Sequence, residues 1–228
     1  NQGVDLQLVR QAGISEDPAD IQLADEQMAK LLQEGVFVAD LDTLPFVWLV
    51  TKTEQVQLGI SYTNVLTCSH GLLQQVHHDP DETAALLAQQ VAIALQHQPV
   101  RRAAQQAGQR YEEVLQQSGS KTNLQPQLLD VLEKTALQPA TDIERYASDA
   151  QGFYLLADAG GNPGGAVAAM SRLQYMAKNP EAFTGVFRKD DFPDLGRRIE
   201  RLQTLLKAYS CGHVSVLEGD KVYVDAQL

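Results

Sequence analysis

The densest group of residues that could bind a metal ion lies just before and inside the start of a helical segment. His77, His78 and Asp79 are followed by Asp81 and Glu82, and imidazoles and carboxylates are common zinc ligands. Adjacent side chains rarely converge on one ion, because neighbouring residues point in different directions. A solvated loop with a helix N-cap therefore explains this group better than a metal site does.

Other patterns with chemical potential lack the residues that would complete a site. Ser69-His70 and residues 210–213 have no Gly-x-Ser-x-Gly elbow, which would expose a serine nucleophile on a tight turn. The glycine-rich residues 160–165 lack a preceding strand and a Lys-Ser/Thr pair, so they are interpreted as a turn between helices rather than a phosphate loop. The remaining histidines are isolated in sequence and are expected to make local hydrogen bonds; they are His70, His97 and His213.

The composition is that of an acidic globular chain. Of 228 residues, 44% are hydrophobic and 21% are charged, which fits a chain with a substantial core. Twenty-nine acidic residues against 18 basic ones give a net charge of -11, so nucleic acid is not an expected partner. We expect a soluble chain, since no apolar run approaches the roughly 20 residues that span a bilayer. Asn1 is not followed by a signal peptide, and earlier processing of a precursor stays open.

The two cysteines leave two alternatives. Cys68 and Cys211 could form one disulfide in an oxidising compartment, or they could remain as buried thiols, because both lie beside apolar residues. The spacing alone does not decide between them.

Helical spacing and helix-boundary residues predict a mostly helical chain. Asp79 as N-cap, Pro80 in the first turn and Glu82 as a capping-box acid predict a helix over residues 79–98. Thr141 and Glu144 form a second capping box, which begins a helix that ends at Gly160-Gly161. Helices are also predicted over the ranges 19–34, 100–118 and 193–208, with a shorter one from Pro163.

Residues 37–54 and 56–68 are rich in β-branched and aromatic residues and predict strands of a small sheet. Residues 213–224 predict a hairpin that turns at 218–220. The polar residues 118–127 are the segment best suited to a flexible loop. Together these elements predict one α+β domain over residues 1–228, in which residues 1–18 could be a flexible arm and residues 209–228 a C-terminal hairpin.

A family resemblance appears in residues 71–99, GLLQQVHHDPDETAALLAQQVAIALQHQP. This stretch resembles the core of the HtpX/BepA-like zinc metallopeptidases, a group that includes the CAAX prenyl endopeptidases. In that family an acidic loop opens a helix of the form D-E-L-A-A-V-L-A-H-E-x-x-H, and DETAALLA at 81–88 is similar to its first part. The resemblance implies a zincin-like (gluzincin) fold, with a small mixed sheet packed on this helix.

Two later segments resemble the same family in the same order. Residues 142–163 are similar to the pattern E-x-E-A-D-x-x-G with an A-G-x-x-P ending, and DFPDLGRRIERL at 191–202 is similar to a segment with H-P and then R-I. The residues that correspond are Asp149, Gly152, Ala159, Gly160, Pro163, Phe192-Pro193 and Arg198-Ile199.

The residues needed for zinc chemistry are missing from the matching positions. Gln89 and Ile93 stand where the resemblance expects the two zinc-binding histidines, and Gln90 stands where it expects the glutamate that acts as general base. Arg145 stands at the third ligand position, four residues before Asp149. Glutamine is a poor ligand, isoleucine has no donor atom, and arginine repels a cation. We therefore expect no bound zinc, no cofactor and no peptidase activity.

The resemblance implies a pseudopeptidase that binds a polypeptide or protein partner in envelope protein quality control, as a holdase, adaptor or subunit. A periplasmic or envelope location follows from the family, and a cytoplasmic one stays open. One alternative is an active zinc endopeptidase whose ligands are Glu144, Asp149 and a histidine. Another is a structural or oligomerisation domain, in which Gln89, Ile93 and Arg145 pack or pair with Asp149.

Overall fold

A computed structural model of the chain describes residues 13–34, 46–61, 64–96, 141–179, 192–210, 214–216 and 222–224. Helices dominate these residues and surround a small sheet. The helices are α1 (Pro18–Glu34), α2 (His70–Gln75), α3 (Pro80–Leu95), α4 (Asp142–Asp158), α5 (Gly164–Lys178) and α6 (Leu195–Ser210). The strands are β1 (Val47–Thr51), β2 (Leu58–Ile60), β3 (Val65–Ser69), β4 (Val214–Val216) and β5 (Val222–Val224). The prediction of a mostly helical α+β chain is confirmed.

The three-stranded sheet is mixed and has the order β1-β3-β2. The central strand β3 pairs in parallel with β1, with Val47 opposite Val65, and antiparallel with β2, with Leu58 opposite Cys68. The outer edge of β1 is partly covered by the residues before α1, since the Ser15 amide donates to the Val50 carbonyl at 2.8 Å. Residues 13–18, predicted as part of a possible arm, are therefore tied to the sheet.

Helix α3 lies at the centre of the molecule. Most of its residues are buried, and it packs against α1, α4, α5 and strand β2. Its high content of Ala, Leu and Val permits burial on every side, which distinguishes it from amphipathic surface helices. The hydrophobic core contains large buried side chains from α1, β3, α4, α5 and α6, which are Met28, Leu66, Phe153, Leu173 and Leu202.

The helix boundaries follow the predicted signals with one correction. Asp79 caps α3 by accepting from the Glu82 amide at 2.9 Å, and Pro80 is its first residue. The Glu82 carboxylate does not complete a capping box as predicted, because it accepts two hydrogen bonds from Arg172, at 2.7 and 2.6 Å. A buried carboxylate (Glu82 is 5% exposed) gains more from a guanidinium than from a single backbone amide.

The second half of the fold matches its predicted elements closely. The capping box of Thr141 and Glu144 is present at the start of α4, and Gly160 follows that helix with φ of 71°. Strands β4 and β5 pair antiparallel, as the hairpin prediction requires. Helix α3 ends at Leu95, before the predicted residue 98. The predictions for residues 1–12 of the arm, residues 37–45 of the strands, residues 97–140, residue 191 and the turn at 218–220 lie outside the described residues.

Cys68 is a free, buried thiol on the central strand β3. Burial, with a smaller contribution from the negative charge of Asp20, raises the pKa of this thiol to about 12. Cys211 lies outside the described part of the chain. None of the helices that the structure describes is long and apolar enough to cross a bilayer.

Candidate functional site

A buried polar cluster occupies the region where the resemblance places the metal site. The Asp149 carboxylate accepts a hydrogen bond from Gln89 Nε2 at 2.7 Å and two from Arg198, through Nε and Nη2, both at 2.8 Å. All three residues are under 10% exposed, at 6% for Asp149, 8% for Gln89 and 4% for Arg198. This is a bidentate buried ion pair extended by an amide, and it joins α3, α4 and α6.

Gly152 brings α4 close enough to α3 for the Gln89–Asp149 bond to form. A Cβ atom at Gly152 would lie 2.8 Å from both the amide nitrogen and the Cα of Gln89, which is shorter than real contacts allow. Since Asp149 is one turn earlier on the same helix, the absence of this side chain sets the distance between Asp149 and Gln89. The glycine thus positions the cluster.

Arg198 is the member of the cluster that sequence reasoning missed. It matched the family pattern as part of Arg198-Ile199 but received no role. In α6 it lies on the same face as the buried residues Leu195, Ile199 and Leu202, which form an apolar stripe at helical spacing. An arginine within such a stripe indicates a buried partner, and this signal was present in the sequence.

The other predicted site residues are not members of this cluster. Arg145 pairs with Asp142 at 2.5 Å, so the predicted pairing of Arg145 with Asp149 is wrong. Asp149 instead pairs with Arg198, which reaches it from another helix with its guanidinium edge-on. Gln90 is buried and Ile93 is half-buried on α3, and neither contributes a hydrogen bond to Asp149. The structure thus brings together Gln89 and Asp149 of the predicted set.

Glu144, which the zinc-peptidase alternative used as a ligand, is occupied elsewhere. Its carboxylate accepts from the amide and the hydroxyl of Thr141, at 2.8 and 3.0 Å, in the capping box of α4. A capping carboxylate is fixed at the helix end by these bonds. The geometry therefore gives no support to a ligand set of Glu144, Asp149 and a histidine.

The space beside the cluster is small. Gln89, Asp149, Phe153, Met170 and Leu202 help to line a cavity of about 10 Å³, which is the lower limit for one water molecule. Both carboxylate oxygens of Asp149 already accept hydrogen bonds from Arg198 or Gln89. A metal ion would have to displace the Arg198 guanidinium, and a substrate carbonyl has no room to enter. The cluster can hold three helices together, and it offers no nucleophile or free base.

A second buried carboxylate lies on α1, the helix that follows the residues paired with β1. Asp20, on the first turn of α1, is 0% exposed. Its Oδ2 lies 2.5 Å from His70 Nδ1 and 3.1 Å from the Ser15 hydroxyl, and its Oδ1 lies 2.9 Å from His78 Nε2. Asp20 thus contacts both histidines, whereas the sequence predicted local hydrogen bonds for His70 and a solvated loop for His78.

Asp20 also changes the protonation of His70. The hydrogen bond to Asp20 is the main cause that raises the pKa of His70 above its ordinary value, and the negative charges of Asp20, Glu54 and Asp17 act in the same direction. Burial of the imidazole opposes them. His70 is thus held in a setting that favours its protonated form.

Asp17, Asp20 and His70 place one ligand atom each within 4.8 Å of one another, yet their geometry is that of hydrogen bonds. Zinc bonds of about 2.0–2.1 Å separate two tetrahedral ligands by roughly 3.3 Å, whereas His70 Nδ1 and Asp20 Oδ2 are 2.5 Å apart. The Asp17 carboxylate also accepts from the Ala19 amide at 2.9 Å, as a cap of α1. We therefore treat this group as a hydrogen-bonded cluster.

No protein-family model matches this sequence, and no curated protein matches it at a significant level. The resemblance to the HtpX/BepA-like metallopeptidases therefore stays a prediction based on the residues quoted above.

Proposed function

We propose that this chain is a non-catalytic relative of the HtpX/BepA-like zinc metallopeptidases, with a zincin-like fold, that binds an extended polypeptide or a protein partner. The observation that carries this proposal is the buried Gln89–Asp149–Arg198 cluster. It lies at the helix whose resemblance to the family is strongest. Where the family would hold a metal and its water, the Gln89 amide of this helix donates to the Asp149 carboxylate, whose charge is neutralised by Arg198.

The chemistry of the cluster supports the loss of hydrolysis. Zinc-dependent hydrolysis needs a bound cation with an open coordination position and a base for the attacking water. Arg198 provides a fixed positive charge that disfavours a second cation nearby, and Gln90 has no carboxylate to accept a proton. Breaking such a buried pair would cost several kcal/mol, so displacement of Arg198 by a metal is unfavourable.

The sheet supports a role in binding. Gln57 and Ser61 at the two ends of β2 form backbone hydrogen bonds with β3. In an antiparallel pair, residues that bond to the neighbouring strand alternate with residues whose amide and carbonyl groups point away from it. The backbone groups of Leu58 and Ile60 therefore point outward. Within the described residues no strand pairs with this outer edge of β2. An extended peptide can add to such an edge through backbone hydrogen bonds and without a metal. By the family resemblance, the partner belongs to envelope protein assembly or quality control.

Metal content tests the non-catalytic part of the proposal. We expect protein purified without chelator to contain far less than one zinc per chain, measured by native mass spectrometry with elemental analysis. It should also leave an unfolded protein such as reduced, carboxymethylated casein uncut. One zinc per chain that is lost in Asp149→Asn would contradict the proposal.

An edge-directed variant tests the binding part. Ile60→Pro removes one amide that points outward from β2. The hydrogen bonds between β2 and β3 stay intact, because proline is tolerated at edge positions of this kind. We expect it to weaken binding of a fluorescent unfolded polypeptide, whereas the matched control Ile60→Val, which keeps the amide, binds normally. Chelator should change neither result. Equal binding by both variants would place the partner elsewhere.

A structural or oligomerisation domain is the second candidate. The small cavity beside Asp149 favours it, because a filled site leaves no cleft along α3 for a ligand. Sedimentation velocity and the polypeptide-binding assay separate the two candidates. A stable oligomer that binds no unfolded polypeptide would favour the structural role.

A further inference from the structure

The residues before α1 form a short strap on the sheet. Residues 13–15, called the strap here, run antiparallel to the outer edge of β1. Ser15 donates its amide to the Val50 carbonyl at 2.8 Å, and Lys52 donates its amide to the Gly13 carbonyl at 3.2 Å. Ile14 is bridged to Thr51. The strap thus occupies backbone groups that would otherwise form an open strand edge.

One carboxylate anchors the strap. Asp20 accepts from the Ser15 hydroxyl of the strap. The same carboxylate contacts His70, the first residue of α2, and His78, three residues beyond the last residue of α2. It therefore ties the strap and α1 to the segment that follows β3. Because Asp20 is fully buried, loss of these bonds would leave a charge without compensation.

The backbone around His78 is built to direct its imidazole to Asp20. His77 and His78 both have positive φ values, 54° and 52°, and consecutive non-glycine residues in this region are uncommon. His77 is exposed, whereas His78 is half-buried against Asp20. The two adjacent histidines thus have different surroundings, and this makes His77 a natural control for His78 and His70.

The groups that face this cluster are almost all acidic. Asp17 precedes α1 and Asp20 lies in its first turn. Glu54 from the β1–β2 connection has its Oε1 4.0 Å from His70 Nε2. Cys68 of β3 also senses the charge of Asp20. His70 Nε2 lies 2.6 Å from Gln74 Nε2, an amide that can donate to the neutral ring or, after rotation, accept from the protonated ring.

We propose that Asp20, His70 and His78 form a protonation-dependent latch, which holds the strap and α1 on the sheet when His70 is protonated and loosens them when it is neutral. The protonated imidazole makes a charge-assisted bond to Asp20, and the neutral one makes an ordinary bond. As the latch loosens, the strap is held less firmly on the β1 edge. This inference does not depend on the proposed function.

The direction follows from linkage. The pKa of His70 is raised above its ordinary value of about 6.5. The latch is therefore strongest below pH of about 6.5 and weakens as pH rises through the raised pKa. The buried pair of Asp149 and Arg198 contains no imidazole, so it provides an internal comparison.

Hydrogen exchange followed by mass spectrometry tests the latch on the full chain. After correction for intrinsic exchange rates, amides of α1 should exchange several-fold faster at pH 8.5 than at pH 6, whereas amides of α4 around Asp149 should change little. His70→Gln should remove most of the pH dependence in α1. His77→Asn, which removes an adjacent exposed histidine and tolerates positive φ, should keep it.

Direct titration of the imidazoles by NMR provides a second measurement that needs no variant. We expect His70 to titrate above the ordinary imidazole value of about 6.5 in the wild-type chain. Equal protection of α1 at both pH values would overturn the latch, and so would an unchanged pH dependence in His70→Gln. Loss of that dependence in His77→Asn would also overturn it, because it would assign the effect to the wrong histidine.

Discussion

Asp149 and Asp20 are two buried carboxylates with the same number of hydrogen bonds and different partners. Asp149 is bonded to Gln89 and twice to Arg198, while Asp20 is bonded to Ser15, His70 and His78. A guanidinium stays charged at every accessible pH, whereas an imidazole changes charge near neutrality. The comparison teaches that burial alone does not decide whether the hydrogen bonds of a carboxylate depend on pH, because the chemistry of the partner decides it.

The largest expected effect comes from breaking the permanent pair. Arg198→Met should lower the free energy of unfolding by about 3–5 kcal/mol, because it leaves the Asp149 charge buried without its partner. Urea denaturation at pH 7 measures this loss. Arg201→Met is the matched control: Arg201 is exposed and lies 4.6 Å from the centre of the Tyr146 ring, a contact worth about 0.5–1 kcal/mol.

A double substitution tests whether the unpaired charge of Asp149 causes this loss of stability. Asp149→Leu with Arg198→Met replaces the pair by apolar side chains, and such replacements are often neutral or stabilising. We expect most of the stability lost in Arg198→Met to return. A double variant as unstable as the single one would mean that packing of the Arg198 side chain, rather than an unpaired charge, is responsible.

Removal of the charge on Asp20 is expected to have the second largest effect. Asp20→Asn keeps an acceptor oxygen but weakens hydrogen bonds that involve a charged group, which are worth about 1.5–3 kcal/mol. The loss should be greatest below pH of about 6.5, where His70 is protonated. Urea denaturation at pH 6 and pH 8.5 measures both. Equal losses at the two pH values would argue against a charge-dependent role for Asp20.

Gly152→Ala should disturb the Asp149 region alone. The new Cβ would lie 2.8 Å from the Gln89 backbone, and overpacking of this kind costs about 1–3 kcal/mol. Gly196→Ala is the control, since the nearest atom there is the end of the Gln174 side chain at 3.4 Å. Alanine should stabilise α6 slightly at that position. Thermal unfolding with hydrogen exchange in α3 and α1 would show whether the damage stays local.

The smallest expected effect is the pH dependence of stability itself. The raised pKa of His70 means that its contribution to folding is fully present below about pH 6.5 and declines as pH rises through the folded-state value. The free energy of unfolding, measured between pH 6 and 9, should therefore show a downward step in the wild type that His70→Gln lacks. A step of the same size in both would assign it to another group.

The sequence predicted the structural features that depend on residues close to one another along the chain. The Asp79-Pro80 start of α3, the Thr141–Glu144 capping box and the β4–β5 hairpin all depend on residues within a few positions of one another. Asp17-Pro18 followed by Asp20 repeats the pattern of Asp79-Pro80 followed by Glu82. In both, the acid in the first turn is buried, and this repetition was a usable signal.

The long-range pairs could not be derived in the same way. Glu82 bonds to Arg172, 90 residues away, and Asp149 to Arg198, 49 residues away. A pattern along one helix shows that a buried charge needs a partner, but not which helix supplies it. The capping-box prediction for Glu82 was wrong for this reason, and so was the alternative in which Arg145 pairs with Asp149.

The rate at which the Cys68 thiol is labelled can report how often the sheet opens. Its thiol lies on the central strand between β1 and β2, and burial with a pKa of about 12 keeps it from ionising while the sheet is closed. Thiol-specific reagents react with the ionised thiolate, so Cys68 can be modified only when the sheet opens. The sequence has one other cysteine, Cys211, and its replacement by serine would leave a single thiol whose labelling rate counts these openings. Openings of the sheet that are too rare for equilibrium methods to detect would thus become measurable in a chain that carries no added probe.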